Sequence, residues 1–65
     1  MNGIVNGFYL ETGYGFDPHN STVTEIKSIN KYGMCVMGAM VFRGEWKDCV
    51  KYAETHTSPL NSNEN

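Results

Sequence analysis

The chain has 65 residues, 40% of them hydrophobic, with five Lys and Arg against seven Asp and Glu for a net charge of −2. So short a chain holds one domain, and a domain of this size buries only about 60% of its extended-chain surface, leaving a thin core that often leans on disulfides, metals or association. The basic residues Lys27, Lys31, Arg43, Lys47 and Lys51 never cluster, which argues against direct nucleic-acid binding, because phosphate contacts supply most of that affinity and need a basic face.

In chain order, Ile4, Val5, Phe8, Tyr9 and Leu10, interrupted by Asn2-Gly3 and Asn6-Gly7, predict an irregular strand over 4–11 with turns or bulges at the Asn-Gly pairs. Residues 12–20 combine two glycines, a proline and two aromatics without periodicity and read as a loop, with Asp17-Pro18-His19-Asn20 as a turn inside it. Residues 21–29 fit two descriptions. Thr22 and Glu25 match a helix capping box and Val23, Ile26 and Ile29 recur every three residues, whereas the density of β-branched side chains favours a strand. The strand is preferred, closed by a type I turn at Asn30-Lys31-Tyr32-Gly33 in which the glycine takes positive φ.

Residues 34–42, Met-Cys-Val-Met-Gly-Ala-Met-Val-Phe, are apolar on both parities of a strand. Alternation sends Met34, Val36, Met40 and Phe42 one way and Cys35, Met37, Ala39 and Val41 the other, and this segment is expected to be the central or best-buried strand. Trp46, Cys49, Val50 and Ala53 then fall at i, i+3, i+4 and i+7, predicting an amphipathic helix over 45–55 with Gly44 as N-cap and Pro59 barring continuation. The fold class that results is α+β: a small antiparallel sheet of about three strands with one C-terminal amphipathic helix packed on one face. Residues 1–56 make up the domain, and 57–65 form a polar tail, mobile or ordered only against a partner.

A helix can cover only one face of the 34–42 ribbon, and contiguous apolar patches of a few hundred Å² are uncommon on monomers. Cys35, Met37 and Val41 are therefore expected to carry self-association. The loop aromatics Tyr14 and Phe16, with His19 and exposed Tyr32, are the expected partner-binding residues. Catalysis by Cys35 or Cys49 would need a reactive thiolate, and both are expected at core positions where thiols are inert. Two cysteines spaced unlike a zinc motif, without the density of a secreted scaffold, fit free thiols in a reducing cytoplasm. No paired His spacing accompanies Asp17, His19 and His56, so no metal or cofactor is expected. Nor does any apolar run approach the ~20 residues that span a bilayer.

The pattern Val41-Phe42-x-Gly44-x-Trp46-x-x-Cys49-x-x-Tyr52-Ala53 after a hairpin resembles the close of many very small ββα proteins encoded by bacteriophages. The resemblance covers the second half of the chain. It implies a class: short, often oligomeric accessory proteins that bind a host or defence component without catalysis. The expected function is accordingly a non-enzymatic oligomeric binding protein that inhibits a host or antiphage-defence protein. The alternatives are an oligomeric sponge holding a small signalling nucleotide, with Arg43 or Lys31 as donors, and a structural subunit of a larger assembly.

Overall fold

In the computed structural model, which describes residues 2–62, Asn6 and Gly7 both adopt left-handed backbone, at φ 51° and 81°. Two consecutive positive-φ residues make the two-residue turn whose twist matches antiparallel strands. The irregular strand expected over 4–11 is therefore a hairpin of β1 (Asn2–Val5) and β2 (Phe8–Gly13), with Val5 opposite Phe8.

A second tight turn, Tyr14-Gly15-Phe16, leads into β3 (Asp17–Ile29), so the loop expected over 12–20 shrinks to three residues. His19 stands on a strand rather than a loop. Pro18 is tolerated there because it lies near the end of β3, where the β2 pairing has already shifted register between Glu11 and Gly13. At the far end of β3 the expected turn is present: the Gly33 amide donates to the Asn30 carbonyl at 2.9 Å, Gly33 takes φ 81°, and the Asn30 side chain accepts from the amides of Tyr32 and Met34. The chain then returns as β4 (Cys35–Gly44). Residues 21–29 are thus strand, not helix.

The sheet has four antiparallel strands in the order β1-β2-β3-β4. This corrects the place of the apolar ribbon: β4 is an edge strand, and the buried middle belongs to β2 and β3. The largest fully buried side chains include Phe8, Leu10, Val23 and Ile26, whereas most of β4 is exposed. Nor does β4 keep simple alternation, because its pairing with β3 shifts register three times. A bulge re-aims side chains; here the consecutive residues Val41 and Phe42 both pack against the core. Val41 is consequently separated from Cys35 and Met37, which are exposed.

The helix α1 (Trp46–Thr55) buries Cys49 and Ala53 against Phe8, Leu10 and Val23, with Trp46, Val50 and Tyr52 at the margin, the face its periodicity predicts. Its N-cap is Glu45 rather than Gly44. Part of the expected tail is ordered instead: Ser58 is fully buried and a short helix α2 (Pro59–Ser62) lies against β3. Asn6 holds this region together. Its amide nitrogen donates to the carbonyls of Ala53 and His56 at 3.0 Å, and the Asn61 side chain donates back to the Asn6 carbonyl at 2.9 Å. Residues 63–65 of that tail lie outside the described residues. Among the described residues no helix is long and apolar enough to cross a membrane.

Candidate interaction surfaces

At one end of β3 the turn between β2 and β3 displays two aromatics. Tyr14 is fully exposed and Phe16 is 77% exposed, at the rim of a shallow depression of about 400 Å³ that Asn2, Glu11 and Thr12 also line. The turn closes through the Phe16 amide, which donates to the Gly13 carbonyl at 3.0 Å, and it places Phe16 at φ 61°. Left-handed backbone is uncommon for any residue with a Cβ and a genuine outlier for a bulky one.

At the opposite end of β3 the sheet narrows to two strands. The last β2 partner of β3 is Phe8, opposite Glu25, and beyond Ile26 every residue through Met37 is exposed except the half-buried Asn30. Ile29, Met34 (62% exposed), Val36 (40%) and Met37 (42%) are apolar members of this overhang, and Tyr32 sits at its tip with the Lys31 ammonium 5.3 Å from its ring centre. Isolated two-stranded ribbons are marginal in water. Here the turn is closed by hydrogen bonds from Gly33 to the Asn30 carbonyl and from Tyr32 and Met34 to the Asn30 side chain, and the stem of Lys27 lies close over Gly38.

Between these ends, the sheet face turned away from α1 follows from the register. Ile4 opposes Tyr9, Tyr9 opposes Thr24 and Thr24 opposes Met40, and opposed residues share a face. The adjacent row is polar: Asn2, Glu11, Thr22 and Arg43. Arg43 is engaged there, its Nε donating to Asn20 at 2.9 Å.

On the helix side, Tyr52 stacks on Phe42 at 5.2 Å, meets Phe8 edge-on at 5.8 Å and carries the His56 ring at 3.7 Å. The Nδ1 of His56 lies 2.9 Å from the Tyr52 carbonyl, which can only accept, so that nitrogen carries the proton. This column closes the side of the core. Beside it Cys49 is buried, which pushes its thiol above the ordinary value and keeps it protonated at neutral pH. Cys35, expected in the core, is exposed, and both cysteines are free thiols. Among the described residues no group of three or more His, Cys, Asp and Glu side chains could hold a metal ion.

His19 is placed for structure as well as display. Its Nδ1 lies 2.8 Å from Glu45 at the N-cap of α1, joining the start of β3 to the start of the helix. The hydrogen bond and charge of Glu45 raise the His19 pKa above 6.5. A raised folded-state value means that the pairing contributes stability fully below the unfolded pKa and loses it as pH rises through the folded one. Glu45→Gln should therefore move the His19 midpoint down toward 6.5, read from imidazole NMR shifts against pH; an unmoved midpoint would separate the two side chains.

The expected binding residues thus do not converge. Tyr14, Phe16, His19 and Arg43 lie toward one end of β3, Tyr32 at the other, and a single copy does not bring them around one ligand. Ile29 and Lys27 in the overhang had not been singled out. Their setting follows from strand lengths that only the pairing defines: a 13-residue β3 outruns a six-residue β2, and a strand longer than its neighbour projects past it. No protein-family model, curated protein or solved structure matches this chain.

Proposed function

We propose that this chain is a non-enzymatic, oligomeric binding protein acting in a bacterial cytoplasm, of the class its second half resembles: a small phage accessory protein that blocks a host or defence protein by occupying its surface. The observation that carries the reading is the conformation of Phe16. Holding a bulky side chain in the left-handed region costs on the order of 1–3 kcal/mol, and an exposed aromatic returns none of that to its own fold. Strain of this kind is retained where the side chain is used on something else, and aromatics on a rigid turn are strong interface anchors because they bury much area at low entropic cost.

Comparative affinity capture tests this. Wild-type protein is expected to retain a specific host protein that Tyr14→Ala with Phe16→Ala loses by about 100-fold, as two anchors of about 1.4 kcal/mol each imply, while Tyr32→Ala retains it. Equal retention by the double variant removes the turn from the account. A nucleotide panel that raises the melting temperature without any captured protein would replace this reading with the sponge.

A further inference from the structure

We infer that Asn6 is a modification site, a side-chain amide that converts spontaneously to a carboxylate through the backbone nitrogen of Gly7, is guarded while residues 58–62 are docked, and on conversion releases that segment irreversibly. The inference is independent of what the protein binds.

The chemistry is that of an Asn-Gly pair. The Gly7 amide nitrogen, having given its proton to hydroxide, bonds to Cγ of Asn6. The Cγ–Nδ2 bond breaks, and Nδ2 takes up a proton from water and leaves as ammonia. Water then opens the cyclic imide at either of its carbonyls, giving aspartate at position 6 or the isomer whose main chain runs through Cβ and Cγ. Glycine matters as the second residue because no Cβ hinders the approach of its nitrogen. The sequence holds two such pairs, Asn2-Gly3 and Asn6-Gly7.

The fold treats them differently. Asn2 and Gly3 are both exposed on β1, and the Asn2 side chain makes one hydrogen bond, to the Tyr9 hydroxyl at 2.9 Å. The Asn6 side chain is fastened on both sides: Nδ2 donates to the carbonyls of Ala53 and His56, and Oδ1 accepts from the Asn61 amide at 2.9 Å. Gly7, which carries the attacking nitrogen, is buried with Ser58 over it. Cγ must turn onto that nitrogen for the ring to close, so reaction waits on a local opening in which 58–62 lifts, as chain ends do at far less cost than global unfolding.

Conversion also changes what the turn can hold. The Ala53 carbonyl is among the last of α1, which have no partner within the helix, and the Asn6 amide supplies its donor. A carboxylate still accepts from Asn61 but has nothing to donate. Its oxygens would face two carbonyl oxygens at the negative end of the helix dipole, where anions are disfavoured. The isomer adds a main-chain carbon to a two-residue turn whose φ values, 51° and 81°, are matched to its strands. Either product pushes the turn and the end of α1 apart, and Ser58 and α2 follow α1. Loss of ammonia makes the step one-way.

Peptide mapping by mass spectrometry over time reads conversion at each pair. In guanidinium chloride both Asn2 and Asn6 are expected to convert, and in the folded protein Asn6 is expected to slow by about tenfold or more. Asn61→Ala removes both hydrogen bonds from Asn61 to Asn6 and should speed Asn6 by about fivefold with Asn2 unchanged. Asn6→Asp should lose hydrogen-exchange protection at the Asn61 and Ser62 amides, which Asn2→Asp keeps. An unfolded chain that leaves Asn6 intact overturns the site, and a folded protein that converts Asn6 as fast as the unfolded chain overturns the guard. If Asn61→Ala speeds Asn6 no more than Asn2, the guard is not the 58–62 segment. Full protection in Asn6→Asp overturns the release.

Discussion

Leu10→Ala is expected to lower stability by about 3 kcal/mol and the melting temperature by about 15 °C. Leu10 is fully buried and belongs to a core cluster of only five buried residues, with Phe8, Val23, Cys49 and Ala53. Removing a buried leucine loses its transfer free energy and leaves a cavity, together about 2–5 kcal/mol depending on how well the site collapses. Here it collapses poorly. The β1 residue opposite Leu10 is Gly3, which has no side chain to move in, and the Val23 opposite on β3 is stiff at χ1. A 65-residue chain at about 0.05–0.15 kcal/mol per residue has only about 3–10 kcal/mol in all. Urea denaturation followed by far-UV circular dichroism should therefore show a much lower midpoint with little change in slope. Met40→Ala, a similar truncation at an exposed site, should stay within about 0.5 kcal/mol. Equal losses at the two positions would mean that Leu10 does not sit in the core.

Gly7→Ala is expected to cost a similar amount, about 3 kcal/mol, for a different reason. Gly7 holds φ 81° in the β1–β2 turn, which an L side chain adopts only at a cost of about 1 kcal/mol. The added Cβ would also fall on the Ser58 hydroxyl, which is fully buried, and overpacking of that sort costs about 1–3 kcal/mol more. Relief would come only by lifting 58–62 from the sheet, breaking the Asn61 to Asn6 hydrogen bonds. Hydrogen exchange should report this as lost protection at the Asn61 and Ser62 amides, both of which donate to Ser58. Gly3→Ala is the control, since nothing lies within 4 Å of its Cβ position. If Gly7→Ala melts with Gly3→Ala, the C-terminal segment does not dock on this turn.

Much of the local structure was legible from neighbouring residues. The Asn-Gly pair at 6–7 and the Asn30…Gly33 turn carry their conformations in residues that tolerate or favour positive φ, and the helix face of Cys49 and Ala53 follows from a 3.6-residue period. The errors share a cause. The stretch 57–65 reads as a tail because it is polar, yet Ser58 is fully buried and Asn61 docks through hydrogen bonds to Asn6, 55 residues away in sequence. Glu45 suits the first turn of a helix on composition alone, but its carboxylate is taken by His19 across the fold. Of the candidate binding residues, exposure of Tyr14, Phe16 and Tyr32 was anticipated from their turn settings, while the separation of Tyr32 from the others depends on the length of β3.

Composition, turn chemistry and hydrophobic period were enough to specify a small antiparallel sheet ending in an amphipathic helix, because each of those signals acts within a few residues along the chain. Strand order came only with the tertiary structure. A segment apolar on both faces, such as 34–42, is equally suited to the middle of its own sheet or to an edge awaiting a partner, since burial energy depends on area removed from water and not on which chain removes it. The packing of α1 and α2 around β2 and β3 decided that choice, and it left the most apolar strand of the protein on the outside.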